Sequence, residues 1–282
     1  MVVLNQQLAE GVEIARDVVY AQMDGRALAL DLYWHPGAGE PEPLVAWVHG
    51  GAWMSGDKTW MPPVSYLLGN GFAMASIDYR LSHEALFPAQ IEDCKAAIRW
   101  LRANAAHYNL NPGRVGAWGE SAGGHLAALL GTAGDVAAWD QQGGNREYSS
   151  RVQAVCDWFG PSDLLQMGVM KSGFDHNAAD APEALLLGGP VQENKEQANR
   201  ANPITYVSPA SPPFFIVHGE QDDVVPLGQS ELLHRALVEA GLDSTLMIIP
   251  GMGHGVMELD KERWAELQRN VVDFFKRYLL DK

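Results

Sequence analysis

The sequence contains few cysteines and no apolar run long enough to cross a membrane. Only two cysteines, Cys94 and Cys156, occur among 282 residues, too few for the disulfide framework of a small secreted protein. We expect both to be buried, reduced thiols. Because a transmembrane helix needs roughly 20 consecutive apolar residues, the sequence also argues against a membrane-spanning protein.

Basic residues are scarce as well. Lysine and arginine total 20 against 35 acidic residues, which gives a formal net charge of −15, and no basic block is present. Such a charge disfavours binding to nucleic acid or to an anionic membrane. The first seven residues lack the basic and apolar regions of a signal peptide, so a cytoplasmic location is expected.

Strand patterns alternate with amphipathic helical patterns along the chain. Asp24 and Gly25 form a strong turn signal between two alternating runs, which predicts a hairpin over 18–22 and 27–33. Further elements are predicted at 44–48, 72–77 and 115–118 (strands) and at 88–106, 229–240 and 261–280 (helices). The alternation predicts one α/β domain over 1–282, with a mostly parallel sheet covered by helices on both faces.

Residues 163–202 interrupt this alternation. The segment has only short apolar pieces among many small and polar residues. It is expected to be a small cap-like insertion over the carboxyl edge of the sheet, where ligands bind in open α/β folds. The alternative is a surface excursion that merely links two strands.

Ser121 lies in the most informative motif, Gly-Glu-Ser-Ala-Gly over 119–123. An apolar strand pattern precedes it and a helical pattern follows, as a G-x-S-x-G nucleophile elbow requires. The tight turn exposes the serine hydroxyl, and the flanking glycines prevent side-chain clashes. His125, four residues further on, is expected to support this turn from the helix.

A second glycine-rich loop, His-Gly-Gly-Ala-Trp over 49–53, directly follows the strand predicted at 44–48. Main-chain N–H groups in such a loop stabilise the oxyanion of a tetrahedral intermediate, together with the residue after the nucleophile. The predicted donors are the N–H groups of Gly51, Ala52 and Ala122.

Two later loops supply a candidate acid and base. Asp222 follows an apolar strand pattern, and His254 follows the next one inside a glycine-lined loop. The order serine, acid, histidine is that of the α/β hydrolases. Of the two histidines after Asp222, only His254 also follows the last strand. From the residues alone, Asp223 and Asp163 remain open as alternative acids.

The motifs H-G-G-A-W, G-E-S-A-G-G, H-G-E-Q-D-D-V-V-P and G-x-G-H together resemble the esterase/lipase group of the α/β-hydrolase superfamily. The resemblance runs from about residue 18 to the C-terminus and is strongest to the BD-FAE-like branch of feruloyl and carbohydrate-acetyl esterases. It implies the α/β-hydrolase fold with an eight-stranded sheet, Asp222 as the triad acid and the predicted oxyanion donors. The G-G-A stretch departs from the H-G-G-G of the neighbouring hormone-sensitive-lipase-like esterases.

These observations predict a serine carboxylesterase that hydrolyses short-chain acyl, acetyl or feruloyl-type esters of small molecules, without a metal or organic cofactor. The alternatives are an aryl formamidase, a peptidase of the prolyl-oligopeptidase type, a lipase and a non-enzymatic binding module. The peptidase normally carries a propeller and the lipase a large apolar lid. A binding module is expected to lack a triad member.

Aromatic residues follow the predicted strand ends near these motifs. Trp53 and Trp60 come after the strand at 44–48, and Trp158 and Phe159 end the strand after the elbow. Trp53, Trp158 and Phe159 are candidates to line a substrate pocket suited to small acyl groups or aromatic acids. The alternative for these rings is core packing.

Overall fold

The computed structural model describes residues 11–257 and 259–280. The predicted absence of a signal region falls on the first seven residues, which lie outside the described residues. Eight strands form one sheet in the order β1-β2-β4-β3-β5-β6-β7-β8. They are β1 (Glu13–Met23), β2 (Arg26–Trp34), β3 (Glu42–Val48), β4 (Ala73–Ile77), β5 (Leu110–Glu120), β6 (Ala154–Trp158), β7 (Phe214–Gly219) and β8 (Ser244–Ile249).

The predicted mostly parallel sheet is confirmed. Strand β2 pairs antiparallel with β1 and β4, and every other neighbouring pair is parallel. The hairpin turn lies at Asp24 and Gly25, which have φ values of 50° and 83°. Two successive positive φ values characterise the tight turns that match strand twist, so the local signal in the sequence set this connection.

Helices cover both faces of the sheet, as predicted. The α-helices are α1 (Val64–Leu68), α2 (Ala89–Ala103), α3 (Ala122–Thr132), α4 (Leu164–Met167), α5 (Pro182–Leu187), α6 (Lys195–Ala201), α7 (Gly228–Glu239) and α8 (Lys261–Phe275). Shorter helical turns lie at Ala137–Asp140, Pro203–Tyr206 and Lys276–Leu280. The last of them is a π-helical turn, so the helix predicted over 261–280 changes its winding after Phe275.

Successive side chains along a strand pack alternately into two hydrophobic cores, one on each face of the sheet. In β3, Val48 belongs to the core that also contains residues of α2, α3 and α7. Its neighbour Trp47 belongs to the core shared with α1 and α8. This alternation follows from the two-residue repeat of a strand. Both Cys94 and Cys156 are buried and free, as predicted.

Close backbone packing fixes the turn between β5 and α3. Ser121 occupies this turn with φ 51° and ψ −121°, a conformation that is strained for a residue with a Cβ atom. A Cβ atom on Gly123 would lie 2.1 Å from the carbonyl oxygen of Val48, and one on Gly119 would lie 2.2 Å from the carbonyl oxygen of Gly123. Glycine is therefore required at both positions for α3 to begin directly against the strand ends.

A buried carboxyl group lies beneath the start of α3. Asp157 of β6 is fully buried, and a Cβ atom on Gly124 would approach its Oδ1 to 2.4 Å. Oδ1 accepts a hydrogen bond from the Gly160 N–H at 3.0 Å, whereas Oδ2 has no hydrogen-bond partner in the described part of the chain. Burial raises the pKa of Asp157 to about 7.

Replacing Gly123 with alanine is expected to destabilise the fold. Alanine normally stabilises a helix relative to glycine, but here its Cβ would lie 2.1 Å from the Val48 carbonyl oxygen. Overpacking of this kind typically costs about 1–3 kcal/mol, which urea denaturation measures. Gly37→Ala is the control, because a Cβ there meets nothing within 4 Å. Equal stability of the two variants would contradict the packing argument.

The stability of the wild-type protein is expected to fall relative to Asp157→Asn as the pH rises from 5 to 8. The pKa of Asp157 is about 7 in the folded state, so the stabilisation from this proton decreases progressively as the pH rises from the ordinary aspartate pKa to about 7. The expected change in the difference between the two unfolding free energies is about 1–3 kcal/mol. Urea denaturation at both pH values measures it, and parallel pH dependence of the two proteins would argue against a proton on Asp157.

Candidate active site

Three side chains meet at the carboxyl edge of the parallel strands. Ser121 lies at the end of β5, Asp222 in the loop after β7 and His254 in the loop after β8. His254 Nε2 lies 3.0 Å from Ser121 Oγ, and His254 Nδ1 lies 2.7 Å from Asp222 Oδ2. The fold thus forms one hydrogen-bonded chain from three segments that are far apart in sequence.

The chemistry of the acceptors determines the direction of these hydrogen bonds. An ionised carboxylate only accepts, so His254 Nδ1–H donates to Asp222. In a neutral imidazole the other nitrogen is then the acceptor, and the Ser121 hydroxyl donates to Nε2. The proton on Ser121 is therefore directed at a nitrogen with a free lone pair.

Asp222 is stabilised as a carboxylate although its side chain is fully buried. Its Oδ1 accepts hydrogen bonds from the N–H groups of Val224 and Val225, both at 2.9 Å. Its Oδ2 lies 3.3 Å from His218 Nε2 in addition to the contact with His254. Burial alone would raise the pKa of Asp222, but the hydrogen bonds from His218 and His254 outweigh it and hold that pKa below its usual range.

The carboxylate of Asp163, one alternative acid, has other hydrogen-bond partners, and Asp223, the other, is bonded through its backbone. Asp163 caps α4 through its Oδ1, which also accepts a hydrogen bond from the Asn202 side chain. The backbone carbonyl of Asp223 accepts hydrogen bonds from Gly173 and Ser172. Of the three aspartates, Asp222 alone forms a hydrogen bond with His254 in the described part of the chain.

The loop after β3 adopts an unusual backbone conformation. Gly51, Ala52 and Trp53 have φ values of 104°, 55° and 57°, and a Cβ on Gly51 would lie 2.2 Å from the Ser55 carbonyl oxygen. Ala52 thus adopts the left-handed conformation without being glycine. Among the described residues, the N–H groups of Gly51, Ala52 and Ala122 donate to no protein acceptor.

His125 joins this loop to the segment between β6 and β7. It is fully buried on α3, and its Nδ1 accepts a hydrogen bond from Trp53 Nε1 at 3.1 Å. Its Nε2 donates to the Ala201 carbonyl oxygen at 2.7 Å. Burial lowers the pKa of His125 to about 4, so it is neutral at pH 7 and holds both partners as an uncharged linker.

The predicted pocket aromatics are core residues in the structure. Trp158, Trp53 and Phe159 are only 3%, 2% and 1% exposed. Trp158 points to the face covered by α8, where it packs against Trp118 and Trp264. Trp158 therefore fits the alternative of core packing, because the sheet face on which it lies is closed by a helix.

Phe159 and Trp53 contact the site from within the protein instead. The Phe159 ring packs edge-on against His254 with a centroid distance of 4.9 Å, and its backbone N–H bonds to the Val217 carbonyl oxygen. The Trp53 indole reaches His125. Both rings are buried and contact histidines of the site, which also fits the alternative of core packing.

Glu120 and Trp60 form a contact that the sequence did not indicate. Glu120, the second residue of the G-x-S-x-G motif, is 8% exposed, and its Oε1 accepts a hydrogen bond from Trp60 Nε1 at 2.9 Å. Burial raises the pKa of Glu120. Trp60 itself is 46% exposed. The signal available in the sequence was the position of Glu120 next to Ser121.

The part of the chain that the structure describes has neither a metal-binding cluster nor a membrane-spanning helix. Within 11–257 and 259–280, no group of three or more histidine, cysteine, aspartate or glutamate side chains is arranged to hold a metal ion. Over the same residues, no helix combines the length and the apolar character that a membrane crossing requires.

Comparison with curated proteins finds esterases among the relatives. The chain is 34% identical over 224 residues to Esterase LipQ of Mycobacterium tuberculosis, and the match covers 77% of this chain and 51% of LipQ. It is 30% identical over 218 residues to the probable carboxylic ester hydrolase LipM of the same organism. The matched part of the chain spans about half the length of these curated relatives.

Solved structures share the fold over nearly the whole chain. A truncated carbohydrate esterase from gut microbiota has a TM-score of 0.86 and 33% identity, with 96% of this chain and 98% of that chain covered. The esterase Est2 of Thermogutta terrifontis has a TM-score of 0.78 and 26% identity, with 98% of both chains covered.

The match to a family model agrees with these likenesses and with the motifs. The model of the BD-FAE family matches residues 30–237, which is most of the chain. The strand order, the strained serine turn and the loop after β3 all lie where the α/β-hydrolase fold has them. The chain therefore belongs to the BD-FAE family and has the α/β-hydrolase fold.

Proposed function

We propose that this protein is a serine carboxylesterase in which Ser121, His254 and Asp222 form the catalytic triad. The observation that carries the proposal is the hydrogen-bonded chain from Ser121 Oγ to His254 at 3.0 Å and from His254 to Asp222 at 2.7 Å. The esterases among the relatives and structural neighbours support the same reaction class.

In the first half of the reaction, Ser121 Oγ attacks the ester carbonyl carbon while its proton passes to His254 Nε2. Asp222 keeps His254 in the tautomer that accepts this proton and stabilises the resulting imidazolium. When the tetrahedral intermediate collapses, the ester C–O bond breaks and His254 gives the proton to the departing alcohol. The acyl group is then bound to Ser121.

Water completes the second half. His254 removes a proton from the water as its oxygen attacks the acyl carbon, and it returns that proton to Ser121 when the carboxylic acid leaves. The N–H groups of Gly51, Ala52 and Ala122, which have no protein acceptor among the described residues, stabilise the oxyanion in both halves. Ala122 also begins α3, so the positive end of the helix dipole faces that charge.

The substrates are small-molecule esters with short acyl, acetyl or feruloyl-type groups. A carbohydrate esterase among the structural neighbours supports this class. A cavity of about 450 Å³ lies beside the loop after β3 and is lined by Met54, Leu86 and residues of α5, with no lining residue from the candidate triad. Within this proposal, residues 163–202 form a cap on a single domain, because Ser172 and Gly173 bond to the Asp223 carbonyl beside the acid.

Ser121→Ala is expected to lower kcat for p-nitrophenyl acetate by about 10⁴–10⁶-fold, since it removes the nucleophile. Ser149→Ala is the matched control, because Ser149 precedes β6 and lies away from the carboxyl edge. Both variants should unfold at the wild-type urea concentration. A folded Ser121→Ala protein that turns over at the wild-type rate would refute the proposed nucleophile.

Asp222→Asn is expected to lower kcat by roughly 10⁴-fold, because an amide cannot orient and stabilise His254 as a carboxylate does. Asp223→Asn and Asp163→Asn should each stay within about tenfold of wild type, since neither side chain bonds to His254. Initial rates of the three folded variants measure this. The assignment is wrong if either control loses more activity than Asp222→Asn.

A further inference from the structure

Trp60 is an exposed aromatic residue held at two points. Its indole Nε1–H donates to Glu120 Oε1 at 2.9 Å, and its backbone carbonyl accepts a hydrogen bond from the buried Trp47 indole at 3.0 Å. The side chain is nevertheless 46% exposed. A large ring fixed in this way offers apolar contact area to a ligand without a large loss of side-chain entropy on binding.

The anchor of Trp60 limits the distance between its ring and the candidate nucleophile. Glu120 directly precedes Ser121, and a Cβ on Gly50 would lie 3.3 Å from Glu120 Cγ. The glutamate side chain therefore lies along the loop that carries Gly51 and Ala52. One Cα–Cα step of about 3.8 Å, the glutamate side chain and the hydrogen bond together keep the Trp60 nitrogen within about 12 Å of Ser121 Cα.

Burial separates Trp60 from the other aromatic residues of the site. Trp53, Trp158 and Phe159 are at most 3% exposed, so their rings pack against other groups of the protein. In the same segment after β3, Met61 is 37% exposed and Met54 is 40% exposed. Trp60 is thus an exposed aromatic ring that is hydrogen-bonded to Glu120, the residue before Ser121.

We propose that Trp60 determines specificity by stacking on a ring attached to the ester, either an aryl ring or the apolar face of a sugar ring. The proposal rests on the esterase function proposed above and defines its substrates more narrowly. An indole offers a π surface that both kinds of ring can cover. Because Trp60 lies beyond the reacting atoms, it selects the substrate and takes no part in proton transfer.

The test compares kcat/KM of Trp60→Ala and wild type on four esters. Methyl ferulate carries the ring on the acyl side, phenyl acetate carries it on the alcohol side, an acetylated methyl xyloside carries a sugar ring, and ethyl acetate carries none. We expect a three- to tenfold loss, about the strength of one aromatic contact, on at least one ring-bearing ester. Ethyl acetate should change less than twofold.

For each ester, kcat/KM of the variant is divided by that of wild type. The esters on which this quotient falls show whether Trp60 stacks on an acyl-side aryl ring, an alcohol-side aryl ring or a sugar ring. Trp60→Phe retains an aromatic face but cannot donate a hydrogen bond to Glu120, so it should recover only part of the selectivity. Tyr148→Ala is the matched control, because it removes a side chain that is 39% exposed in the segment before β6. It should leave kcat/KM on each of the four esters at the wild-type value.

A second pair of variants tests the anchor. Glu120→Gln keeps an acceptor for the Trp60 indole and should preserve the ratio of ring-bearing to ring-free kcat/KM. Glu120→Leu removes the acceptor and should lower that ratio as Trp60→Ala does. A purely structural role for Glu120 would change all esters together and leave the ratio constant.

Equal losses on all four esters, or no loss on any, in Trp60→Ala would overturn the stacking proposal. This failure is distinct from failure of the esterase function. If Ser121→Ala abolishes hydrolysis while Trp60→Ala does not discriminate among esters, only the role of Trp60 is wrong. If Ser121→Ala hydrolyses esters at the wild-type rate, the proposed function itself fails.

Discussion

The strained backbone at Ser121 is the constraint on which the rest of the site depends. A residue with φ 51° and ψ −121° persists only where its surroundings over-determine it. Here α3 begins so close to the ends of the strands that Gly119 and Gly123 have no space for a Cβ atom. This packing points the hydroxyl at His254 and leaves the Ala122 N–H without a protein acceptor among the described residues.

Three buried carboxyl groups around this turn differ in how easily they are protonated, because their hydrogen-bond partners differ. Asp222 receives two backbone N–H bonds and contacts two histidines, so it stays ionised in spite of burial. Asp157 has one backbone donor and is more easily protonated, and Glu120 has the Trp60 indole. Burial is common to all three, so the number and charge of the hydrogen-bond donors decide which one serves as the anion of the site.

Local sequence patterns were sufficient for most of the fold. The turn at Asp24 and Gly25, the alternating strands and the helix after Pro88 all correspond to observed elements, because turn chemistry and hydrophobic periodicity act within a few residues. Loop positions after strands also put Asp222 and His254 at one edge of the sheet. The choice among three aspartates needed either the family resemblance or the observed contact with His254.

The sequence by itself identified the candidate residues of the site: the glycines that permit the serine turn, the loop after β3, and the order of serine, acid and base. The tertiary structure decided which aromatic rings are free. Trp53, Trp158 and Phe159 are closed in by α3, α8 and the histidines, whereas Trp60 is held outward by Glu120. These contacts join distant segments, and no spacing along the chain specifies which helix covers which face of the sheet.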